Sequence, residues 1–469
     1  MPQAPMHYDA VIIGAGMSGL AAGIRLAYFD KRVLIVERHY AYGGLNSYYR
    51  LNGFDFDVGL HAVTNYVSPG AASAPLPKLL RQLRLTREAL DLKPQRFSEI
   101  RFPGRTLRFT NDIAVLTEEV AEQFPDDADN FVRLLRFIEA YDDLRPDAEP
   151  TSTRKMLGDA LRDPLLIDML LCPLMYYGSA TEHDMDLTQF ATMFKAIFLQ
   201  GMARPPGGVR HVIRTLVKRY RACGGRLRMN CGVQRIEIKG DRVAGLHLST
   251  GETITADVVL SSAGWYETMR LLAPDAPVGG PPEEEGVGRI SFVECIGVLD
   301  EPPARHGHEA TLVFFSDAVP LQYAVPDELV DLRSGVVCCP NNYEDHDAMK
   351  NGVLRITWLA NPRAWSALDQ AAYADAKQAY HQRFVEAAGR YVPDFADRLL
   401  HADMFTPKTI QRFTGHLNGA VYGARHKARD GRTGVEGLFV CGTDQGFLGI
   451  IGAMLSGITM ANNHVLARD

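Results

Sequence analysis

An α/β fold with a discontinuous parallel sheet follows from three features of this 469-residue chain. Near the N-terminus the apolar run Ala10 to Ile13 enters a glycine turn. In the middle, three strand signals are joined by tight turns, and near the C-terminus a further strand meets a second glycine turn. The first and third share a logic: a buried strand ends at glycine, and the N-terminus of a helix follows.

The first block is the most specific. Ala10 to Ile13 reads as a buried parallel strand, Gly14 and Gly16 permit a tight turn with close backbone approach, and Gly19 lets the next helix pack on the strand. The helix Met17 to Ala27 directs its free N–H groups, those of Met17 and Ser18 among them, and its partial positive end at a diphosphate. Arg32 to Val36 forms the next strand and delivers Glu37 to a ribose, where a carboxylate accepts from both hydroxyls and repels a 2′-phosphate. This is a Rossmann-type dinucleotide site that disfavours NADP.

Glu37-Arg38 is followed by Gly43-Gly44 and Leu45-Asn46, then by Tyr48-Tyr49-Arg50-Leu51-Asn52-Gly53-Phe54-Asp55-Phe56-Asp57-Val58-Gly59-Leu60-His61. This arrangement resembles the FAD-binding family that holds amine oxidases, phytoene desaturases, carotenoid isomerases and retinol saturases, and most of all its phytoene desaturase and retinol saturase branch. The resemblance implies non-covalent FAD. Its diphosphate would pass beside Arg38, Gly43, Gly44, Leu45 and Asn46, with Gly59, Leu60 and His61 close to the isoalloxazine. The chain departs from many desaturases in carrying Leu45-Asn46 where they have arginine, and in lacking the usual proline in Gly446 to Gly452.

After Pro205-Pro206-Gly207-Gly208 comes an amphipathic helix ending at Gly224-Gly225, and then a short strand, Arg226 to Asn230. Val233 to Ile238, Val243 to Ser249 and Thr253 to Leu260, separated by Gly240-Asp241 and Thr250-Gly251, read as a three-stranded meander. By resemblance Val233 contacts the adenine, and Ala263-Gly264 returns the chain to the diphosphate. The last block runs Gly437 to Asp444 and into a helix beginning near Ile451. In the family Gly442, Thr443 and Asp444 meet the diphosphate and ribityl chain, while N–H groups of Gly452, Ala453 and Met454 face flavin N1 and O2.

The FAD domain is thus expected in three pieces, 1–66, 205–289 and 406–469, with an inserted α+β substrate domain from 67–204 and 290–405. The first insertion predicts a hairpin around Pro103-Gly104 and helices at Ile113 to Gln123, Asp129 to Tyr141 and Pro164 to Pro173. The second predicts strands at Thr311 to Phe315, Val336 to Cys339 and Leu354 to Leu359, and a helix over Ala371 to Tyr391. Ser68 to Pro77 and Pro281 to Gly286 read as surface loops.

Composition limits the partners. Lysine and arginine total 50 against 56 acidic residues, a net charge of −6 with no long basic run, which argues against nucleic acid. The seven cysteines form no CxxC pair and predict reduced thiols of a cytosolic protein; Cys338 and Cys339 alternate faces on a strand. No signal-peptide pattern opens Met1 to His7, and no apolar run reaches ~18 residues. No metal site is expected: His306-Gly307-His308 lacks a third ligand and reads as solvated.

Leu165 to Met202 carries five methionines among leucine, isoleucine and phenylalanine. Such a surface suits a flexible apolar ligand, though a helical core gives the same composition. Tyr176-Tyr177-Gly178-Ser179 resembles the tunnel border of carotenoid desaturases. The expected function is therefore FAD-dependent redox chemistry on a long apolar polyene or isoprenoid, drawn from a membrane that the protein contacts peripherally, at its inner face. A flavin amine oxidase, or a non-catalytic prenyl-binding protein of the Rab GDP dissociation inhibitor type, is the alternative. His61 is the first catalytic candidate because it lies in the flavin-facing segment and titrates near neutrality; a histidine that only orients the loop fits equally. Tyr422 in Asn418 to Gly423 matches a family block and is the second. With one dinucleotide fingerprint and no second nicotinamide domain, the electron acceptor is expected to be oxygen or a quinone.

Overall fold

The strand Met6–Ile13 is buried at every residue from Ala10 onward and Val33–Val36 is buried throughout, as parallel strands covered on both faces must be. In the computed structural model, which describes residues 6–68, 70, 74–143, 149–274, 276, 278–346, 349–392 and 395–468, they lie at the centre of a seven-stranded sheet. Arg226–Arg228, Val33–Val36, Met6–Ile13, Thr253–Ser261 and Leu438–Val440 run parallel in that order. Val233–Lys239 and Arg242–Leu248 join antiparallel at the outer half of Thr253–Ser261, completing the expected meander.

Helices Met17–Tyr28, Gly208–Ala222 and Gly449–His464 cover one face of this sheet. Two glycines set the spacing. A Cβ on Gly19 would lie 2.2 Å from the carbonyl oxygen of Gly14, and one on Gly457 would lie 2.0 Å from that of Ser18. The first and last helices therefore touch backbone to backbone. Helix Pro75–Leu83 and Leu90 and Leu92 after it also pack into this core, although the sequence places residues 67–204 in the insertion. Part of the expected loop Ser68 to Pro77 is this helix; residues 69 and 71–73 of it, like 1–5 of the N-terminal segment, lie outside the described residues.

A second sheet has the order Leu399–Phe405, Ser291–Leu299, Gly352–Ala360, Val330–Cys338, Leu312–Ser316, Ser98–Phe102, Arg105–Phe109. Neighbours are antiparallel except Leu312–Ser316 with Ser98–Phe102. One face packs on helices Ile113–Gln123, Ala128–Ala140, Pro164–Gly178 and Leu187–Phe194, the other on Gln370–Gly389. Cys338 falls in the first of these cores and Cys339 in the second, as strand alternation requires, and all seven cysteines are free thiols.

Three local expectations are corrected. The helix expected to stop at Pro173 continues to Gly178, because it is buried on nearly every side and packing offsets the lost hydrogen bond. Pro281 to Gly286 is not all loop: Glu283–Gly286 forms a short helix. His308 is buried with Nδ1 2.9 Å from the Tyr391 carbonyl oxygen, and His306 sits 3.3 Å from Glu301, so neither histidine is simply solvated.

Candidate functional site

The carboxyl ends of the parallel strands open onto a cavity of ≈ 530 Å³. Gly14, Gly16, Glu37, Arg38, Gly44, Leu45, Val233 and Ala263, separated by more than two hundred residues of chain, line it together. Gly14 and Gly43 have φ of +98° and +115°, and a Cβ on Gly44 would stand 3.8 Å from the Gly16 Cα, narrowing the groove. Gly16 caps the helix Met17–Tyr28 without a side-chain hydrogen bond, which leaves the first-turn N–H groups, including those of Met17 and Ser18, for an anion. Glu37 is fixed by accepting from the N–H groups of Ala15 at 2.8 Å and His39 at 2.9 Å, and a carboxylate keeps further lone pairs for hydroxyls. Helix Pro407–Thr414 roofs the groove, tied down by Arg38, which donates to the carbonyls of Gln411 and Arg412.

His416 and Glu267 also line this cavity and stand 3.6 Å apart. Burial pulls the His416 pKa down, but Glu267 outweighs it and holds the imidazole above its ordinary value. Burial likewise raises Glu267, and His416 and the Leu417 N–H outweigh it in the opposite sense.

Gly59, Leu60 and His61 lie outside the wall of this cavity, in a loop held by the second sheet and its neighbours. Leu60 O accepts from both Arg204 and Arg355, and His61 O accepts from the Tyr343 hydroxyl at 2.9 Å. Nε2 of His61 is 3.1 Å from Thr357 Oγ1 and 3.6 Å from Glu294 Oε2. Glu294 forms a buried ion pair with Arg355, and Arg204 another with Asp57 at 2.8 Å. Burial lowers the His61 pKa, with Glu294 opposing; Glu294 itself is pushed up by burial but held below the carboxylate range by Arg355. The aromatic rings nearby are Tyr177, 6.3 Å from His61 between centroids, and Phe314 behind it. The Tyr177 hydroxyl is buried without a hydrogen-bond partner among the described residues.

The C-terminal residues are brought near the first helix but are internally committed. Gly442 N–H donates to Ser456 Oγ at 2.6 Å, and a Cβ on Gly442 would meet Ser18 Oγ at 3.1 Å. Both Asp444 oxygens accept backbone N–H groups, from Trp265 and Ala424. Thr443 opens the same turn, Gly264 lies beside Trp265, and Gly452, Ala453 and Met454 sit in the helix Gly449–His464. Tyr422 donates to the Tyr176 carbonyl, which commits its hydroxyl to structure, and burial raises its pKa. Lys427, which sequence reasoning missed, donates to the Tyr422 carbonyl at 2.6 Å, and burial lowers its pKa to about 8.

The methionine-rich segment is core in this structure. Met169, Met175, Met193 and Met202 are buried, and Phe194 is fully enclosed with Phe190 and Phe198. Among the described residues no cluster of three metal-ligating side chains occurs.

A model of flavin-containing amine oxidoreductases matches residues 17–463. The chain belongs to that family. As a member it takes FAD as cofactor, and the paired glycines, open helix terminus and fixed Glu37 fit that group. The phytoene desaturase (lycopene-forming) of Pseudescherichia vulneris is 26% identical over 64% of this chain and 65% of its own length. Prolycopene isomerase 2, chloroplastic, of an Oncidium hybrid cultivar is 21% identical over 99% of the chain and 84% of its own length. Among solved structures, an oxidoreductase from Methanosarcina mazei superposes with a TM-score of 0.68 at 16% identity, covering 98% of this chain and all of that one. That likeness shows the fold alone.

Proposed function

We propose that this flavoenzyme desaturates, saturates or isomerises a long apolar polyene or isoprenoid. The observation that carries the reading is the setting of the His61 loop: a neutral histidine beside Tyr177 and Phe314, next to the largest apolar core of the molecule. Similarity to a phytoene desaturase and a prolycopene isomerase supports the same substrate class. FAD, when bound, accepts or returns a hydride. The rest is the work of the chain: residues 1–66, 205–289 and 406–469 hold the cofactor, with Pro75–Leu83, Leu90 and Leu92 packed into their core, and the remainder of 67–204 with 290–405 caps it and excludes water. Gly59 to His61, Gly442 to Asp444 and Gly452 to Met454 are assigned to the flavin half.

An alkane C–H is too weak an acid for direct removal, so proton loss follows or accompanies the departure of hydride, and a base of modest strength suffices. His61 meets that requirement because burial keeps it neutral. Among the described residues no helix is long and apolar enough to cross a membrane; substrate delivery is assigned to peripheral contact with a lipid surface, and reoxidation to oxygen or a quinone. The test is incubation of FAD-loaded protein with liposomes carrying phytoene, desaturation intermediates or retinol, beside an amine panel, with mass and isomer analysis. Turnover of a polyene is expected; turnover of amines alone overturns the assignment.

A further inference from the structure

Glu294 is a carboxylate in the middle of a nine-residue strand that is buried throughout, and its placement has a cost that folding alone does not require. Arg355, two residues along the neighbouring strand Gly352–Ala360 from Thr357, which pairs with Glu294, compensates its charge. The second oxygen of Glu294 is turned to His61: Oε2 lies 3.6 Å from Nε2, while Thr357 Oγ1 approaches the same nitrogen at 3.1 Å. Two oxygens thus converge on Nε2, and the carboxylate of the two can only accept. Among the described residues no group is paired with Nδ1, and it does not belong to the fully buried unpartnered atoms. The backbone of the loop cannot swing, since Arg204, Arg355 and Tyr343 all hold its carbonyls.

We infer that Glu294 is a positioning residue which, with Thr357, fixes His61 as the Nε2–H tautomer, so that Nδ1 is the atom that accepts the substrate proton. This deepens the proposed function and rests on it for the identity of the substrate alone. With FAD bound to take up the hydride from one carbon, the proton on the neighbouring carbon would pass to Nδ1. The electron pair of that C–H bond becomes the new double bond, and His61 becomes an imidazolium whose charge faces Glu294. In the reverse direction the same Nδ1 returns the proton. The charged and titratable groups around the ring are Glu294 and Arg355 from adjacent strands, Arg204 with Asp57, and the neutral Tyr177, Tyr343 and Cys338; burial raises the pKa of those last three. Burial above all, then Arg355 and Arg204, work against protonation and Glu294 for it, which leaves the resting ring neutral.

The experiment uses FAD-loaded protein labelled with nitrogen-15 histidine, the His61 signal being assigned by its loss in His61→Asn. At neutral pH the ring is expected to carry its proton on Nε2 alone. A ring protonated on Nδ1, or on both nitrogens, overturns the inference. Glu294→Gln keeps an oxygen for Arg355 and presents an amide to His61, so the proton is expected to move to Nδ1; a folded variant with the wild-type tautomer overturns it as well. Should that variant fail to fold, Glu294→Asp keeps the charge and withdraws the acceptor by one methylene, and an unchanged tautomer there has the same force. With a substrate in hand, the acid limb of the rate profile is expected to shift to lower pH in Glu294→Gln, whereas a purely structural role lowers the rate and leaves the limb in place. Protein with the expected tautomer that turns over no lipid defeats the substrate assignment alone.

Discussion

Glu37 holds two backbone amides while facing the cavity, so its replacement has two effects that can be separated. Glu37→Ala removes the proposed ribose acceptor and loosens the turn; FAD binding should weaken by about 1.5–3 kcal/mol, the scale of a hydrogen bond to a charged group. Titration of apoprotein with FAD measures this, and an unchanged dissociation constant would remove Glu37 from the site. The His416 and Glu267 pair gives a pH signature. His416 is raised above 6.5, so its stabilisation is complete below that value and fades as pH climbs through the folded pKa. Glu267 is lowered below 4.5, so its share is complete above that value and fades as pH falls through the folded pKa. The gap in melting temperature between wild type and Glu267→Gln should therefore be widest between pH 4.5 and 6.5. A gap that ignores pH would mean that the pair does not titrate as described.

The elements divide by how local their causes are. Strand, turn and helix from Ala10 to Ala27 were legible because the positive φ of Gly14 and the close approach at Gly19 demand glycine at those positions whatever the rest of the chain does. The meander was legible for the same reason, through Gly240 and Gly251, both at positive φ in its turns. Ser291–Leu299 was not recognised as a strand, although all nine residues are buried. Glu294 and Gly297 interrupt its apolar pattern, and the arginine that justifies the carboxylate lies on another strand. Helix Pro164–Gly178 was cut short at Pro173 because proline is a local stop signal, while the packing that overrides it is not local. Two variants test these elements. Gly19→Ala should lower both the melting temperature and FAD affinity, since the new Cβ cannot avoid the Gly14 carbonyl unless the helix moves off the strand. Phe194→Ala should destabilise the protein by ~3–5 kcal/mol, the cost of emptying a core aromatic site. A loss confined to lipid turnover at full stability would instead make that residue part of a passage.

At the scale of the whole molecule, one dinucleotide fingerprint serves two sheets. NADH and NADPH should not bleach the flavin rapidly under anaerobic conditions at micromolar concentration; saturable bleaching would show a nicotinamide site and overturn this expectation. The first sheet also has a schedule written into its strand order. Its central strands come from residues 6–36, its meander from 233–261, and Leu438–Val440 and the helix Gly449–His464 follow both. On a ribosome, the apolar face of Met17–Tyr28 must wait for that final helix, whose Gly457 seats against Ser18. Residues 29–448 are all synthesised before that helix begins, and a nascent chain in that interval displays an uncovered hydrophobic surface to every chaperone and protease around it. The cell's yield of active protein is thus expected to depend on how that waiting period is spent, and a chain stopped just before residue 438 should be degraded or aggregate where one with a surface-loop deletion persists.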